Sequence, residues 1–288
     1  MTVTNALAAL LFACMLLLST GTRVHAQDDP EPGWAFKAQL STVWAGGNSE
    51  SNTLGFRTTI KRLWEDASWS TSAGALRTQS SITTRRAVGS IDSFVIDEKT
   101  TTETTAEALF ARTKLDQNVN EKIHVLGGVD WLRNTLSGVD SRFLLALGAG
   151  VSLSETKNVV AKADLSLTYT FEADVVDNPF SSDKFPGLRA GYNATYQVSH
   201  STQLESELVG DWNLDNTDDI RIDWTNATSV AINSSLALKP STLIQWRNSP
   251  ALASVDLFDE GGESTGESVT VPLEKMDWFL NLAIVLTL

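Results

Sequence analysis

Residues 159–171 read Val-Val-Ala-Lys-Ala-Asp-Leu-Ser-Leu-Thr-Tyr-Thr-Phe, and their side chains alternate in polarity. Every odd position in this stretch is apolar or aromatic, whereas the even positions from Lys162 to Thr170 are charged or hydroxylated. A period of two is typical of a β-strand, in which successive side chains point to opposite faces of the sheet. The stretch therefore predicts a strand with one apolar and one polar face.

The same alternation returns along most of the chain, from Trp34–Trp44 near the beginning to Trp278–Leu288 at the end. Twelve segments of this kind are separated by connections that are alternately short, as at Glu65-Asp66, and mostly longer, as at 79–101 and 248–272. Pro240 predicts a kink or bulge in the eleventh segment, because proline removes a ladder donor. We predict an all-β fold: a transmembrane, antiparallel, up-and-down β-barrel of about 12 strands, with short periplasmic turns and long extracellular loops.

The composition excludes several other classes of protein. The 288 residues include 22 Lys and Arg against 35 Asp and Glu, which gives a net charge of −13 and argues against nucleic acid as a partner. A single cysteine excludes a disulfide scaffold and a multi-cysteine metal site. A hydrophobic content of 42% is too high for a disordered chain.

The N-terminal segment has the features of an export signal. An apolar run from Ala6 to Leu18 is too short to span a bilayer, and it precedes Val24-His25-Ala26, whose small residues fit a cleavage site. We therefore expect a cleaved signal peptide at 1–26, a short periplasmic segment at 27–33 and the barrel at 34–288.

Three observations favour an apolar face that meets lipid over a soluble, lipocalin-like barrel with its apolar face inside. Trp34 and Trp44 lie ten residues apart on one face, which corresponds to about 25 Å along the membrane normal for a strand tilted by ~40°. Twelve strands would enclose an interior too wide for apolar side chains to fill. The chain also ends within an alternating strand at Leu288, as bacterial outer-membrane barrels do.

This orientation assigns side chains to two faces. Residues predicted to line the lumen are Lys37, Arg57, Lys61, Glu107, Asp130, Lys162, Asp164, Arg189, Glu205, Glu207, Asp211, Arg221, Asp223 and Arg247. Aromatic residues predicted at the membrane interfaces are Trp34, Trp44, Trp64, Trp69, Trp131, Trp212, Trp224, Trp246 and Trp278. Arginines predicted on the lipid face near strand ends are Arg62, Arg77, Arg112 and Arg133. The lumen charges suit either a wet pore with a transverse field or a pairing network that closes the lumen.

Catalytic and metal-binding patterns are weak. His124 is predicted to face the lumen as a solvated residue at the turn-side end of the fifth strand, and no Ser-His motif accompanies it. The acidic run from Asp211 to Asp219 lacks the glycine and glutamate of a calcium loop. We predict no catalytic residue, no cofactor and no built metal site, and we expect that the protein is not an enzyme.

Two stretches resemble the salt-induced outer-membrane protein family, a Gram-negative family of unknown function. The first is Leu40-Ser-Thr-Val-Trp-Ala-Gly-Gly-Asn-Ser-Glu-Ser-Asn-Thr-Leu54, which looks like the opening strand, loop and second strand of that family. The second comprises Leu236-Ala-Leu-Lys, Trp246-Arg-Asn-Ser-Pro250 and the strand after Lys275-Met-Asp277. The resemblance covers essentially the whole mature chain and implies an outer-membrane barrel without an established activity.

The predicted outer loops hold 17 acids and four bases, and thus 13 of the 14 excess negative charges of the mature chain. We expect this acidic surface to be sensitive to salt and to attract divalent cations. Other expected partners are outer-membrane lipid, lipopolysaccharide and, during insertion, the barrel-assembly machinery. The predicted function is a narrow, porin-like channel or an envelope-structure protein linked to salt or osmotic stress. The alternatives are an outer-membrane enzyme acting on lipid or peptide and a soluble periplasmic barrel.

Overall fold

A computed structural model describes residues 32–45, 49–90, 93–178, 181–258, 264–273 and 275–287. The predicted signal peptide at 1–26 and most of the segment at 27–33 lie outside these residues. Within the described parts of the chain, no helix is both long and apolar enough to cross a membrane.

The described residues form fourteen β-strands, twelve of which make a closed antiparallel barrel. Their bounds are β1 Gly33–Ala45, β2 Ser49–Leu63, β3 Ala67–Ser90, β4 Ser93–Asn118, β5 Ile123–Asn134, β6 Val139–Glu155, β7 Val159–Asp174, β8 Lys184–Gln197, β9 Thr202–Asn213, β10 Ile220–Ala231, β11 Leu236–Arg247, β12 Leu252–Phe258, β13 Ser264–Pro272 and β14 Met276–Thr287. Each barrel strand pairs with its neighbours along the chain, except that β11 pairs directly with β14. The predicted twelve-stranded antiparallel barrel is confirmed.

The barrel closes where the first strand meets the last. The ladder between β1 and β14 covers only Lys37–Ser41 of β1, whereas the ladder between β1 and β2 runs from Gly33 to Ala45. This closing seam is the shortest ladder of the barrel.

Two of the predicted long loops contain β-strands. The segment at 79–101 is not a loop, because β3 and β4 continue into it as a long two-stranded hairpin that pairs out to Ser90 and Ser93. The segment at 248–272 contains a separate hairpin of β12 and β13. Both stretches are rich in hydroxylated residues, whose polarity resembles that of a loop although Thr and Ser pair readily across strands.

Of the kink or bulge predicted at Pro240, the register excludes a bulge, but the ladder to β10 is interrupted there. Pro240 lies opposite Leu282 of β14, and β11 keeps one register with β10 on both sides of the proline. The ladder between β10 and β11 omits only the pairs that would involve Thr228 and Ser229. Strand β11 therefore accommodates the missing backbone N–H of Pro240 without a change of register.

The outward face of the barrel is apolar. Leu147 is 72% exposed, Leu165 61% and Leu167 67%, and on the last strand Trp278 is 71% and Leu280 64% exposed. Large apolar side chains that remain exposed in a continuous band are not accounted for by packing within one chain. The band requires an apolar medium or partner around it.

Tryptophans lie at both ends of this outward face. Trp34 and Trp69 meet edge to face near the turn side, with ring centroids 6.1 Å apart. Indole nitrogens on this face donate hydrogen bonds to hydroxyl groups. Trp69 Nε1 donates to Thr113 Oγ1 over 2.9 Å, and Trp131 Nε1 donates to Ser141 Oγ over 3.2 Å. The other outward-facing tryptophans with described side chains are Trp64, Trp212, Trp224, Trp246 and Trp278. Trp44 belongs to β1, but its side chain lies outside the described ones.

Candidate functional site: the charged lumen

Ion pairs between strands that are not neighbours identify the inner face. Arg189 of β8 reaches Asp130 of β5 at 2.5 Å, although β6 and β7 separate these two strands. Lys114 of β4 reaches Asp164 of β7 at 2.8 Å across the same kind of gap. Contacts that skip two strands can only cross the interior of a closed barrel. The polar face is therefore the lumen face.

The largest cluster lies toward the loop end of the lumen. Glu172 accepts hydrogen bonds from Arg142 Nε at 2.6 Å and Nη2 at 3.0 Å, and from Arg221 Nη1 at 2.6 Å and Nη2 at 3.2 Å. Arg221 also donates to both carboxylate oxygens of Asp219, at 2.8 and 2.7 Å. The Phe185 ring lies 5.5 Å from the Arg221 guanidinium. These groups are mostly buried, so their charges are compensated mainly by one another.

A second cluster lies at mid-height. Arg189 donates to Asp211 through Nε at 2.7 Å and Nη2 at 3.0 Å while it also holds Asp130. Two further pairs lie above and below this cluster, Arg247 with Asp223 toward the loop end at 2.8 Å and Lys239 with Glu205 toward the turn side at 2.6 Å. Bidentate arginine–carboxylate geometry fixes the orientation of both partners.

The turn-side end of the lumen holds a third cluster. Lys114 contacts Asp164 at 2.8 Å and Asp116 at 3.0 Å, and His124 Nε2 lies 2.7 Å from Asp164 Oδ1. His124 is 2% exposed and packs against Gly150, where any Cβ would collide with its ring. The histidine faces the lumen as predicted from its position, but it is buried and not solvated. No hydroxyl among the described residues is hydrogen-bonded to its ring, so the cluster does not form a Ser-His-Asp site.

We call these three clusters and the nearby pairs the paired network. Its members are Lys114, Asp116, His124, Asp130, Arg142, Asp164, Glu172, Arg189, Glu205, Asp211, Asp219, Arg221, Asp223, Lys239 and Arg247. Small and hydroxylated residues beneath the network are buried, including Ser166, Thr168 and Thr170. The network therefore occupies the part of the lumen that runs from the end of β4 to β11.

Four inward-facing bases on β1, β2 and β4 have no such partners. Asp130 lies opposite Arg112 in the ladder between β4 and β5, but its ion pair is with Arg189. Lys37 lies on β1, Arg57 and Lys61 lie on β2, and Arg112 lies on β4. Among the residues that the structure describes, no carboxylate lies within 4.0 Å of any of these four side chains. All four are exposed although they point into a closed barrel. We call these four residues the basic strip.

The basic strip faces acids across the lumen. Arg57 is repelled by Arg112 and attracted by Glu207 and Glu205 of β9, and Lys61 is repelled by Lys162, Lys37 and Lys114 and attracted by Asp116. Arg112 is attracted by Asp223 of β10. Glu207 is itself exposed, and the described residues provide no ion-pair partner for it. Positive charge along β1–β4 and negative charge on β9 produce a field across the lumen.

Phe110 organises the middle of the basic strip. The Arg57 guanidinium lies 4.8 Å from the centroid of the Phe110 ring and that of Arg112 lies 5.7 Å from it. Arg57, Gly74 and Phe110 are directly opposite one another in three adjacent strands. The ring lies over Gly74, where a Cβ atom would collide with it. The absence of a side chain at Gly74 thus provides the space that the ring occupies.

The register places thirteen of the fourteen predicted lumen residues on the inner face: Lys37, Arg57, Lys61, Asp130, Lys162, Asp164, Arg189, Glu205, Glu207, Asp211, Arg221, Asp223 and Arg247. Glu107 faces outward, where its carboxylate lies 3.8 Å from Arg77. The assignment of Arg112 to the lipid face is likewise wrong. The sequence from Ala106 to Leu115 carries apolar residues at both parities, so apolar periodicity could not choose the face.

Sequence reasoning missed other members of the site. Glu172, Asp219 and Asp116 are absent from the residues predicted to line the lumen, yet all three belong to the paired network. A signal for the face of β4 was present, because Arg112, Lys114 and Asp116 occupy three successive even positions. The pairing itself depends on which strands face each other across the lumen, which no local pattern contains.

The loop end of the lumen contains a cavity of about 140 Å³. Charged and polar side chains line it, among them Arg142, Glu172, Asp174, Asp219 and Arg221. Among the described residues, no group of three or more potential metal ligands converges there or elsewhere. The acidic residues Asp259, Glu260 and Glu263 of the predicted cation-attracting loops lie outside the described residues.

Comparisons with known proteins give a family and distant structural likenesses. A family model described as "Protein of unknown function, DUF481" matches residues 38–257. No curated protein matches the sequence. Among solved structures, the chain is similar to a NanC porin (8% identity, TM-score 0.43, 88% of this chain and 98% of the porin covered) and to a bacterial polysaccharide outer-membrane secretin (10%, 0.40, 90% and 99%). It is also similar to an anion-selective porin from Comamonas acidovorans (9%, 0.37, 90% and 100%).

Proposed function

The chain belongs to the family of proteins of unknown function DUF481, and we propose that it is an outer-membrane β-barrel with a narrow, water-filled channel beside its paired network. The observation that supports this proposal most directly is the exposure of inward-facing Arg57, Arg112 and Glu207. A side chain that points into a closed barrel and is still accessible to water must border open space. Lys37, Lys61 and Asn193 extend this open space along the lumen.

The height of these residues supports a channel through the membrane. Arg57 and Arg112 each lie six residues, and Glu207 five, from the turn-side ends of β2, β4 and β9. Six residues of a strand tilted by ~40° rise roughly 15 Å, which is about the middle of an apolar band of ~25 Å. Open, charged space thus lies at the depth where lipid surrounds the barrel.

The proposed location rests on the outer surface of the barrel. A β-barrel can span a bilayer because all backbone groups pair between strands, and the exposed band that includes Leu147 and Leu167 would then meet lipid. In a soluble periplasmic barrel the same band would face water, which is unfavourable by about 25 cal/mol for each Å² exposed. The membrane location is therefore the alternative that the surface favours.

Planar-bilayer recordings test the channel. Purified, folded protein should give discrete single-channel currents, and Asn193→Trp should reduce them because a large ring would enter the open part of the lumen. Tyr192→Trp is the matched control, because Tyr192 precedes Asn193 on β8 and faces outward. Absence of current from folded wild-type protein would contradict the channel and leave a closed, structural barrel.

A role in salt or osmotic stress is a separate part of the proposal. It is supported by the resemblance described above and by the excess of acids in the predicted outer loops. An unchanged amount of the protein in cells that are grown with and without added NaCl would argue against this role.

A further inference from the structure

We infer that Arg57 and Arg112, together with the Phe110 ring between them, form a binding subsite for an oxyanion group of a solute in the lumen. The group would be a carboxylate, sulfate or phosphate. This inference rests on the proposed channel, because the solute reaches the subsite through the open part of the lumen. It adds a solute class and a location to that proposal.

Arg57 and Arg112 differ from the other arginines of the lumen. Arg142, Arg189, Arg221 and Arg247 each contact a carboxylate at 2.8 Å or less. Arg57 and Arg112 have no carboxylate within 4.0 Å among the side chains that the structure describes. A guanidinium has five N–H donors and no way to lose its charge in a protein. The donors of these two arginines are therefore free to bind a group from the lumen.

Arg57 and Arg112 are arranged around a single phenyl ring. Both guanidiniums lie within 6 Å of the centroid of one phenyl ring, and they repel each other electrostatically. The ring contributes a weak attraction to each cation but cannot neutralise either charge. An anion between or beside the two groups would remove the repulsion and gain charge-assisted hydrogen bonds from both. The like-charged pair is thus prepared for an anionic ligand.

The shape of the guanidinium groups bears on the kind of anion that would bind. The planar fork of a guanidinium matches two oxygen atoms of a carboxylate, sulfate or phosphate, whereas a halide offers one centre. The position of the Phe110 ring is fixed by its contact with the backbone at Gly74, because no side chain lies between the ring and that strand. Arg57 and Phe110 lie on strands that flank Gly74, so the positions of the two bases relative to the ring are set by the ladder. The geometry therefore favours an oxyanion over chloride.

Equilibrium dialysis of labelled inorganic phosphate and sulfate against folded protein in zwitterionic detergent tests the subsite. Wild-type protein should bind these anions at one site per barrel. Arg57→Gln and Arg112→Gln should each weaken binding about tenfold or more, because each removes a charge-assisted hydrogen bond. Arg62→Gln is the matched control and should bind as wild type does, because Arg62 lies on the same strand, faces outward and contacts Trp34 and Trp64.

Two further variants separate geometry from charge. The double variant Arg57→Lys, Arg112→Lys keeps both positive charges but loses the fork, and it should bind phosphate several times more weakly than wild type. Phe110→Leu keeps an apolar residue over Gly74 and should weaken binding by releasing both guanidiniums. Phosphate binding by the double lysine variant that equals wild-type binding would overturn the oxyanion subsite and leave only a general attraction to anions.

The dialysis experiment is independent of any current. Phosphate binding that depends on Arg57 and Arg112, in a protein that conducts no ions, would contradict the channel but support the subsite. Ion conduction by a protein whose phosphate binding is unchanged in Arg57→Gln and Arg112→Gln would overturn the subsite and leave the channel proposal intact.

Discussion

The two sides of the lumen carry similar charged side chains, which are held in ion pairs on one side and are unpaired and exposed on the other. Along β5–β8 and their neighbours, arginines and carboxylates are held in pairs of 2.5–3.0 Å and the residues beneath them are buried. Along β1, β2 and β4, the four bases of the basic strip face open space without a partner among the described side chains. Charge alone therefore does not decide whether a lumen residue supports the structure or is available to a solute. What decides is whether an opposite charge lies within reach across the interior.

The largest effect should come from breaking the centre of the paired network. Glu172→Gln leaves Arg142 and Arg221 without the carboxylate that they share, and removing one partner of a buried ion pair costs about 3–5 kcal/mol. We expect the free energy of unfolding in urea and detergent to fall by about 3 kcal/mol because Asp219 still contacts Arg221. Glu155→Gln, at an exposed pair with Lys162, should change it by less than about 1 kcal/mol. Equal losses in the two variants would show that the network contributes no more than a surface pair.

An intermediate effect is expected at the turn-side cluster. Asp164→Asn weakens the contacts to Lys114 and to the buried His124, whose ring would keep at most a neutral hydrogen bond. The expected loss of unfolding free energy is about 1–3 kcal/mol, measured in the same urea titration. Asp140→Asn is a suitable control, because Asp140 pairs with Arg133 in an exposed position on the outside. A value for Asp164→Asn no larger than for this control would mean that His124 does not depend on the carboxylate.

The smallest effect on stability should come from the basic strip. Arg57→Gln and Arg112→Gln should each change the unfolding free energy by no more than about 0.5 kcal/mol, because neither side chain is part of an ion pair in the described structure. The change should be small because each variant removes the repulsion between the two arginines and also an attraction, that of Arg57 to Glu207 and Glu205 or that of Arg112 to Asp223. A loss as large as that of Glu172→Gln would remove the distinction between the two sides of the lumen.

The architecture could be predicted from the sequence because alternation is a local property. The strand count, the closed antiparallel arrangement and the turn at Glu65-Asp66 all follow from a period of two and its interruptions. The polarity of the hydroxylated residues beyond residue 79 predicted a loop where β3 and β4 in fact continue, since Ser and Thr are compatible with a strand and with a loop. Prediction of the face failed on β4, where both parities carry apolar residues.

The division of the lumen into two sides could not be predicted in the same way. The pair of Arg189 with Asp130 and that of Arg221 with Glu172 join strands that are three positions apart in the barrel. These contacts depend on the tilt and stagger of all strands in between, which no single segment encodes. The sequence offered a pairing network and a transverse field as alternatives, and the structure contains paired charges on one side and a field between unpaired charges on the other.

The short seam between β1 and β14 has a consequence for how the barrel forms. Its ladder joins the first strand of the barrel to the last, so it has the largest sequence separation among the strand pairings that the structure describes. Contacts of high sequence separation lose the most chain entropy before they contribute any stability, and they slow folding. The hairpins from β2 to β11 have no such delay, because each forms between adjacent segments. Closure is therefore expected to be the slow, late step of folding, and until it occurs β1 and β14 each present a free edge to any chain that can pair with them.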